Sequence, residues 1–383
     1  MVLLAGLWLE HRNPLTLPEP SGHLAVGRVS EVWVNDARAD ELAPVPGARQ
    51  TVVAWIWYPA DKSLAARPAD YVPAPWRAAD ARHSGLLLRE FLSRDPARVH
   101  GHSLADASVS SARSTWPVVL MRAGGGAPTL DFTTLAEDLA SHGYVVVGFD
   151  APYRTTTVAM PDGRVMERTP ENDPEEAPEA ELNRMAARLL PAWVSDERFV
   201  VDRLARLNAA DSAGRFTGRL DLARLGAFGH SFGGATSLEF CHDDARCKAA
   251  IDIDGAVWGS VAREGLKQPA LFLLSDHGDL SAGEARTVYG EIRSMYDGLP
   301  GWRRLLTIRR ANHFSFSDQI LVKSQLAIHV LQLMQGGGLN PRRGLAIASG
   351  CVAGFFEVQL RGAPAEVFQR NCEAQPEVKK LAD

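Results

Sequence analysis

The chain has 383 residues, 46% of them hydrophobic and 23% charged, with 41 Lys and Arg against 46 Asp and Glu and a net charge of −5. This composition excludes a disordered or fibrous chain. The acidic balance leaves no surplus of basic groups to release counterions, so no nucleic-acid partner is expected.

Met1 to Leu9 is an apolar run ended by Glu10. It is far shorter than the ~20 residues that cross a bilayer. It also lacks the basic start and small-residue cleavage site of a signal peptide. Residues 1–23 are read as an N-terminal extension, either the remnant of an export signal or anchor, or a packed helix. Leu24 to Val34 and Thr51 to Tyr58 are rich in Val, Ile and aromatics between turn sequences, which predicts an antiparallel pair. Pro59 to Ser114 reads as a surface excursion with a helical patch at Leu86 to Leu92.

The rhythm then changes. Short apolar runs at Trp116 to Met121, Tyr144 to Phe149, Leu225 to Phe228, Ala249 to Ile253, Ala270 to Leu274 and Leu305 to Ile308 alternate with helical spacing. Near-continuous apolar strands between helices predict a mostly parallel sheet buried on both faces. The helices are expected at Leu130 to His142, Leu182 to Leu207, Glu284 to Met295, Ser324 to Met334 and Val352 to Leu360. One segment departs from this. Residues 158–182 hold four prolines (Pro161, Pro170, Pro174, Pro178) among eight acidic residues that include Glu171, Asp173 and Glu175. It reads either as a solvated loop or as a lid over a site at the strand ends.

The four cysteines, Cys241, Cys247, Cys351 and Cys372, have no C-x-x-C spacing, which argues against a zinc or dithiol redox motif. Two sequence-local disulfides suit an exported protein, whether secreted, periplasmic or anchored. Four thiols in a cytoplasmic protein are the alternative.

Gly229-His230-Ser231-Phe232-Gly233 matches G-x-S-x-G, with an apolar strand running in and a small-residue helix start running out. That setting makes Ser231 a candidate nucleophile on a strained turn, and puts the amide of Phe232 at a helix start facing a developing oxyanion. Gly101-His102-Ser103-Leu104-Ala105 has no apolar strand before it and is rejected. His100 and His102 lack a clear third ligand, so no metal is expected.

A serine needs a base, and the base an orienting acid, in the order Ser, acid, His on such a sheet. Among the downstream histidines, His329 falls in an apolar helical run and is assigned to packing, and His242 in a polar turn. His313, just after the last apolar strand, is the candidate base. An imidazole base predicts activity that falls near pH ~6 to 7. Asp252 and Asp254 share one strand face by the period of two, and Asp254 lies nearer the carboxyl end. Asp254 is favoured as the acid, with Asp276 and Asp279 as rivals. The second oxyanion donor is expected from Gly124-Gly125-Gly126, with Gly125 the chosen amide.

These features resemble the platelet-activating factor acetylhydrolase family, in its plasma-type and bacterial lipase-like branch. The resemblance rests on Trp57-Tyr58-Pro59-Ala60, Pro117 to Met121 with its glycine loop, and Asp138 to Tyr144. It continues in Gly229 to Gly234, Ile253-Asp254-Gly255 with Trp258, Asn312-His313-Phe314 and Phe316-Ser317-Asp318, in family order over about residues 50 to 335. It implies an α/β-hydrolase fold over residues 24–383, a mostly parallel central sheet with antiparallel N-terminal strands and helices on both faces. It implies Ser231, Asp254 and His313 as a triad, with the amides of Phe232 and Gly125 as oxyanion donors. Where the family has His-Gly before the glycine loop this chain has Arg122-Ala123, and residues 158–182 have no placed counterpart.

The expected function is cleavage of short acyl esters, including phospholipid sn-2 acetyl esters, through an acyl-enzyme and with no cofactor. Trp258 and Phe314 are expected to bind the substrate, a small molecule or lipid reached at a lipid surface. A polyester or cutinase-like hydrolase and a non-catalytic binding protein of this fold are the alternatives.

Overall fold

The computed structural model describes residues 2–62, 66–83, 85, 91–173, 179–278, 280, 283–334 and 338–382. Most of the helical patch expected at 86–92, and the rival acid Asp279, lie outside these residues.

Fourteen strands are formed among the described residues: β1 (Leu15–Thr16), β2 (Ala25–Ala39), β3 (Arg49–Ala60), β4 (Pro68–Asp70), β5 (Val99–Ala105), β6 (Trp116–Arg122), β7 (Val145–Asp150), β8 (Thr157–Ala159), β9 (Val165–Glu167), β10 (Leu220–His230), β11 (Cys247–Ile253), β12 (Ala270–Leu274), β13 (Arg303–Ile308) and β14 (Val378–Ala382). Twelve make one sheet in the order β1-β5-β2-β3-β7-β6-β10-β11-β12-β13-β14, with β4 on β5. The run β7-β6-β10-β11-β12-β13 is parallel throughout. β2 and β3 form the expected antiparallel pair and join the parallel run through β3 and β7.

Alternation decides the core. Val118, Leu120, Val145, Val147, Leu225 and Phe272 pack on one face of the sheet, and Val119, Met121, Val146, Phe228, Ile251 and Leu271 on the other. A strand whose successive side chains both find helices must be apolar at every position. β6 and β7 are buried along their whole length. Helices Glu179–Ala209 and Phe232–Asp243 contribute to the first layer, and Thr133–Ser141 and Pro341–Arg361 to the second. No described helix is long and apolar enough to cross a membrane.

Several readings are corrected here. The chain does not end on helices: β14 adds an antiparallel edge beside β13. Its sequence, VKKLA, is short and carries two lysines, which blunts an exposed edge and hides the strand signal. The rejected 101–105 segment is itself part of β5, and Ser103 is buried, its hydroxyl and amide donating to Glu137. His329 is exposed rather than packed. Within 158–182, the described residues include the β8–β9 hairpin and the start of a long helix at Glu179, while residues 174–178 of the expected loop or lid lie outside the described ones.

Helix Val2–Arg12 and β1 precede residue 24, and β1 pairs with β5. Cys241 is bonded to Cys247 and Cys351 to Cys372, with Cα atoms 5.0 and 4.5 Å apart.

Candidate active site

The elbow forms where β10 meets the helix Phe232–Asp243. Ser231 has φ 56° and ψ −129°, a conformation that ordinary residues avoid. The turn is held because Gly229 and Gly233 carry no side chain. A Cβ on Gly229 would lie 2.1 Å from the Gly233 carbonyl oxygen, and one on Gly233 would lie 2.1 Å from that of Arg122. Sequence pattern and backbone strain therefore have one cause, the near contact of strand and helix. The Ser231 amide donates to the carbonyl of Ile253 at the end of β11, which brings the next residue, Asp254, beside the elbow.

Asp254 is buried and is the second strained residue, with φ 52°. Its Oδ2 accepts from Nδ1 of His313 at 2.7 Å. Its Oδ1 accepts from the Ser275 amide at 2.7 Å and from Nε2 of His277 at 2.9 Å. Burial pushes the carboxyl up, but the two imidazoles outweigh burial and hold it well below the usual carboxylate range. Because Nδ1 of His313 carries the donated proton, the lone pair is left on Nε2, the nitrogen that can accept one.

His313 follows β13 in a tight turn capped by Asn312, whose side chain accepts from the Phe314 amide. Its ring lies 4.3 Å, centroid to centroid, from that of His230, the residue before Ser231. Nε2 of His230 donates to the His313 carbonyl at 2.8 Å. Burial, and then the His313 charge, push His230 down to about 3, so it is neutral and acts as a donor and a wall. The structure therefore brings Ser231, Asp254 and His313 to one rim of the sheet.

Asp276 faces elsewhere, with Oδ2 accepting from the Arg310 amide at 2.7 Å. Asp252 is fully buried beneath the site. Burial, and then the charge of Asp254, raise its carboxyl well above the usual range. His242 stays at the far end of its helix, with Nδ1 on the Gly265 carbonyl.

His230, Asp254 and His313 each have a ligand atom within 4.8 Å of the others. Two ligands of one tetrahedral ion, each about 2.1 Å from it, would stand about 3.4 Å apart. Nδ1 of His313 and Oδ2 of Asp254 are 2.7 Å apart, which fits a charge-assisted hydrogen bond and not a shared ion.

The glycine loop leans on the elbow. A Cβ on Gly124 would lie 2.2 Å from the His230 carbonyl oxygen and 2.8 Å from the Phe232 amide nitrogen. Gly125 and Gly126 have φ of 53° and 79°, and the Ala127 amide closes the turn on the Gly124 carbonyl. Phe232 is buried, with Trp193 at 4.9 Å and Trp258 at 5.4 Å. Arg122 sits below the loop, its Nη1 donating to the Phe149 carbonyl and its guanidinium 4.0 Å from the Trp193 ring centre.

Trp258 donates to Asn183 and helps line a cavity of about 520 Å³ with Leu190, Val194, Glu239 and Arg263. Ser231, Asp254 and His313 are not among its walls. Phe314 is 46% exposed beside His313, with Nζ of Lys323 4.2 Å from its ring centre. Sequence reasoning missed His230 and His277, and it also missed Arg168, whose Nη1 donates to the Gly125 carbonyl. His230 was visible as the variable residue of the elbow motif, whereas nothing local marked the other two.

A parallel sheet carrying a strained serine elbow at its carboxyl edge defines an α/β-hydrolase. Residues 202–375 match the family described as platelet-activating factor acetylhydrolase, isoform II. A protein of Arthroderma benhamiae described as "Probable 1-alkyl-2-acetylglycerophosphocholine esterase" is 26% identical over 286 residues, 68% of this chain. The chain spans 65% of that relative's length. The solved ferulic acid esterase of Streptomyces cinnamoneus superposes with a TM-score of 0.77 and 28% identity, over 96% of this chain and all of that one. The chain is thus an α/β-hydrolase, similar over residues 202–375 to the platelet-activating factor acetylhydrolase family.

Proposed function

We propose that the protein is a serine carboxylic ester hydrolase working through an acyl-enzyme. The observation that carries this reading is the buried Asp254 carboxylate bonded to His313 Nδ1 beside the strained Ser231. Ser231 Oγ attacks the ester carbonyl while Nε2 of His313 takes its proton. The tetrahedral oxyanion is met by the Phe232 amide and an amide of the glycine loop. The same imidazolium protonates the leaving alcohol, and water then repeats the sequence on the acyl-enzyme. Asp254 keeps the tautomer and stabilises the imidazolium.

Short acyl groups are the favoured substrates. One relative's name specifies an acetyl ester of a glycerophospholipid and the other's an ester of an aromatic acid, so the reading is tested across both. Aryl acetates, 2-acetyl phospholipids, feruloyl esters and polyester film are offered to the native protein and to Ser231→Ala. Hydrolysis of a soluble ester by the native protein and its loss in a folded Ser231→Ala support the reading. An unchanged rate in the variant refutes it. Organophosphonate labelling of Ser231 separates a catalyst from a binding protein of the same fold.

Two further expectations belong here. Two buried disulfides support export, tested by fractionation of the native host. Leu4, Trp8, Leu9 and Leu326 are exposed together where helix Val2–Arg12 meets Gln325–Met334, which supports contact with a lipid surface. Loss of vesicle co-sedimentation in Trp8→Ser would support that contact, and no co-sedimentation of the native protein would refute it.

A further inference from the structure

Two of the three carbonyls of the glycine turn, those of Gly125 and Gly126, are tied to the segment after β7. The Thr156 amide donates to the Gly126 carbonyl at 2.8 Å. Nη1 of Arg168, just after β9, donates to the Gly125 carbonyl at 2.7 Å. Arg168 is nearly buried, and its Nη2 pairs with Asp173 Oδ2 at 2.5 Å. Its backbone amide donates to the Thr156 carbonyl, so the β8–β9 hairpin closes on itself at the point where it grips the loop. The fit leaves no slack: a Cβ on Gly126 would lie 2.2 Å from Arg168 Nη1 and 2.9 Å from Thr156 Oγ1.

These contacts bear on catalysis because of what a peptide plane is. It is rigid and trans, and it joins the carbonyl of one residue to the N–H of the next. Fixing the Gly125 carbonyl oxygen therefore fixes the direction of the Gly126 N–H, rather than that of the Gly125 amide chosen from the sequence. Gly125 and Gly126 resist backbone rotation less than any other residues. A turn built from them holds its amides toward an oxyanion only if something outside the turn stops the planes from rotating. Oxyanion stabilisation depends on donors that need no reorganisation when charge appears.

We propose that Arg168 is a positioning residue of the oxyanion site, acting on the Gly126 amide, and that the described stretch from Thr156 to Asp173 straps the glycine loop in place through it. This rests on the ester-hydrolase reading above. Asp173 in turn holds the guanidinium, and the strap supplies from a distant segment the rigidity that three consecutive glycines lack.

The test is Arg168→Met, assayed on a soluble aryl acetate and with an alkylboronic acid, which adds reversibly to the Ser231 hydroxyl as a tetrahedral anion. A donor held out of line is expected to lower kcat by about 10- to 100-fold, short of the ~10²- to 10³-fold of a deleted donor. KM should stay within about threefold, because the ground-state ester gains little from the oxyanion site. Boronate affinity should fall in parallel with kcat, and methylguanidinium should restore part of both. Asp173→Asn keeps the arginine but removes its ion pair with that carboxylate, and should give a smaller loss of kcat in the same direction. That variant decides the matter if Arg168→Met does not fold.

Unchanged kcat in a folded Arg168→Met, a rise in KM alone, or a kcat loss that only tracks loss of folded protein and is not rescued would each overturn the strap. If Ser231→Ala is inactive while Arg168→Met matches the native protein, the strap alone fails. Retained hydrolysis in Ser231→Ala removes both readings.

Discussion

Replacing Asp254 by Asn changes one atom of the site and leaves its shape. The neighbours decide which way the new amide points. Oδ1 faces two donors, the Ser275 amide and Nε2 of His277, and the backbone N–H can only donate. The amide oxygen must therefore stay at Oδ1, and the NH2 group takes the Oδ2 place, against Nδ1 of His313. Two donors cannot share that 2.7 Å contact, so His313 moves its proton to Nε2 and loses the lone pair that accepts the serine proton. Flipping the amide would restore the tautomer but set NH2 against the Ser275 amide. Leaving a buried donor unsatisfied costs about 1–3 kcal/mol, which alone limits the productive fraction to between about one in five and one in 150. Loss of the carboxylate charge opposite the imidazolium adds to this. Together they predict a fall in kcat of about 10³- to 10⁴-fold, or about 4–5 kcal/mol. The assay is steady-state hydrolysis of an aryl acetate from pH 5 to 9, with circular dichroism and thermal unfolding as folding controls. Because the native carboxylate stays ionised far below that range, its own titration does not enter the profile. A folded Asp254→Asn within about tenfold of the native kcat would refute the assignment of Asp254 as the orienting acid.

Other consequences are open to measurement. Gly124→Ala sets a methyl 2.2 Å from one backbone atom of the elbow and 2.8 Å from another, and neither can swing away. Overpacking of this kind costs about 1–3 kcal/mol, so both the melting temperature and kcat should fall, and a variant with native values would show that the loop does not abut Ser231. Burial pushes the carboxyls of Glu197 and Asp131 up to about 8 and about 7, so between pH ~4.5 and those values the folded state binds more protons than the unfolded one. Stability should therefore fall as pH rises through that window, by up to about 1.4 kcal/mol per pH unit for each group. Glu197→Gln should be more stable than the native protein at pH 9 and similar to it at pH 5, and equal denaturation midpoints at both pH values would contradict this. The Cys351–Cys372 bridge closes a loop with a sequence separation of 21, worth about 3 kcal/mol of unfolded-state entropy. The double Cys→Ser variant should lose roughly that much in urea titration, and an unchanged midpoint would argue against the bridge.

What the residues determine by themselves is whatever a few neighbours along the chain can enforce. Apolar runs at strand length placed the parallel strands, because a strand buried on both faces must be apolar throughout. Gly229, Ser231 and Gly233 marked the elbow, because the near contact of strand and helix excludes side chains two positions either side of the serine. Asp254 and His313 could be chosen as candidates from their places just beyond strands. Only the tertiary structure pairs Asp254, and not Asp276, with His313, through a hydrogen bond across 59 positions. It alone revealed His277 on the far oxygen of the same carboxylate, the edge strand β14, and the grip of Arg168 on the glycine turn. Each of these joins segments far apart in the chain, and neither residue carries a local sign of its partner. Such pairings arise when the whole sheet closes and desolvates them together.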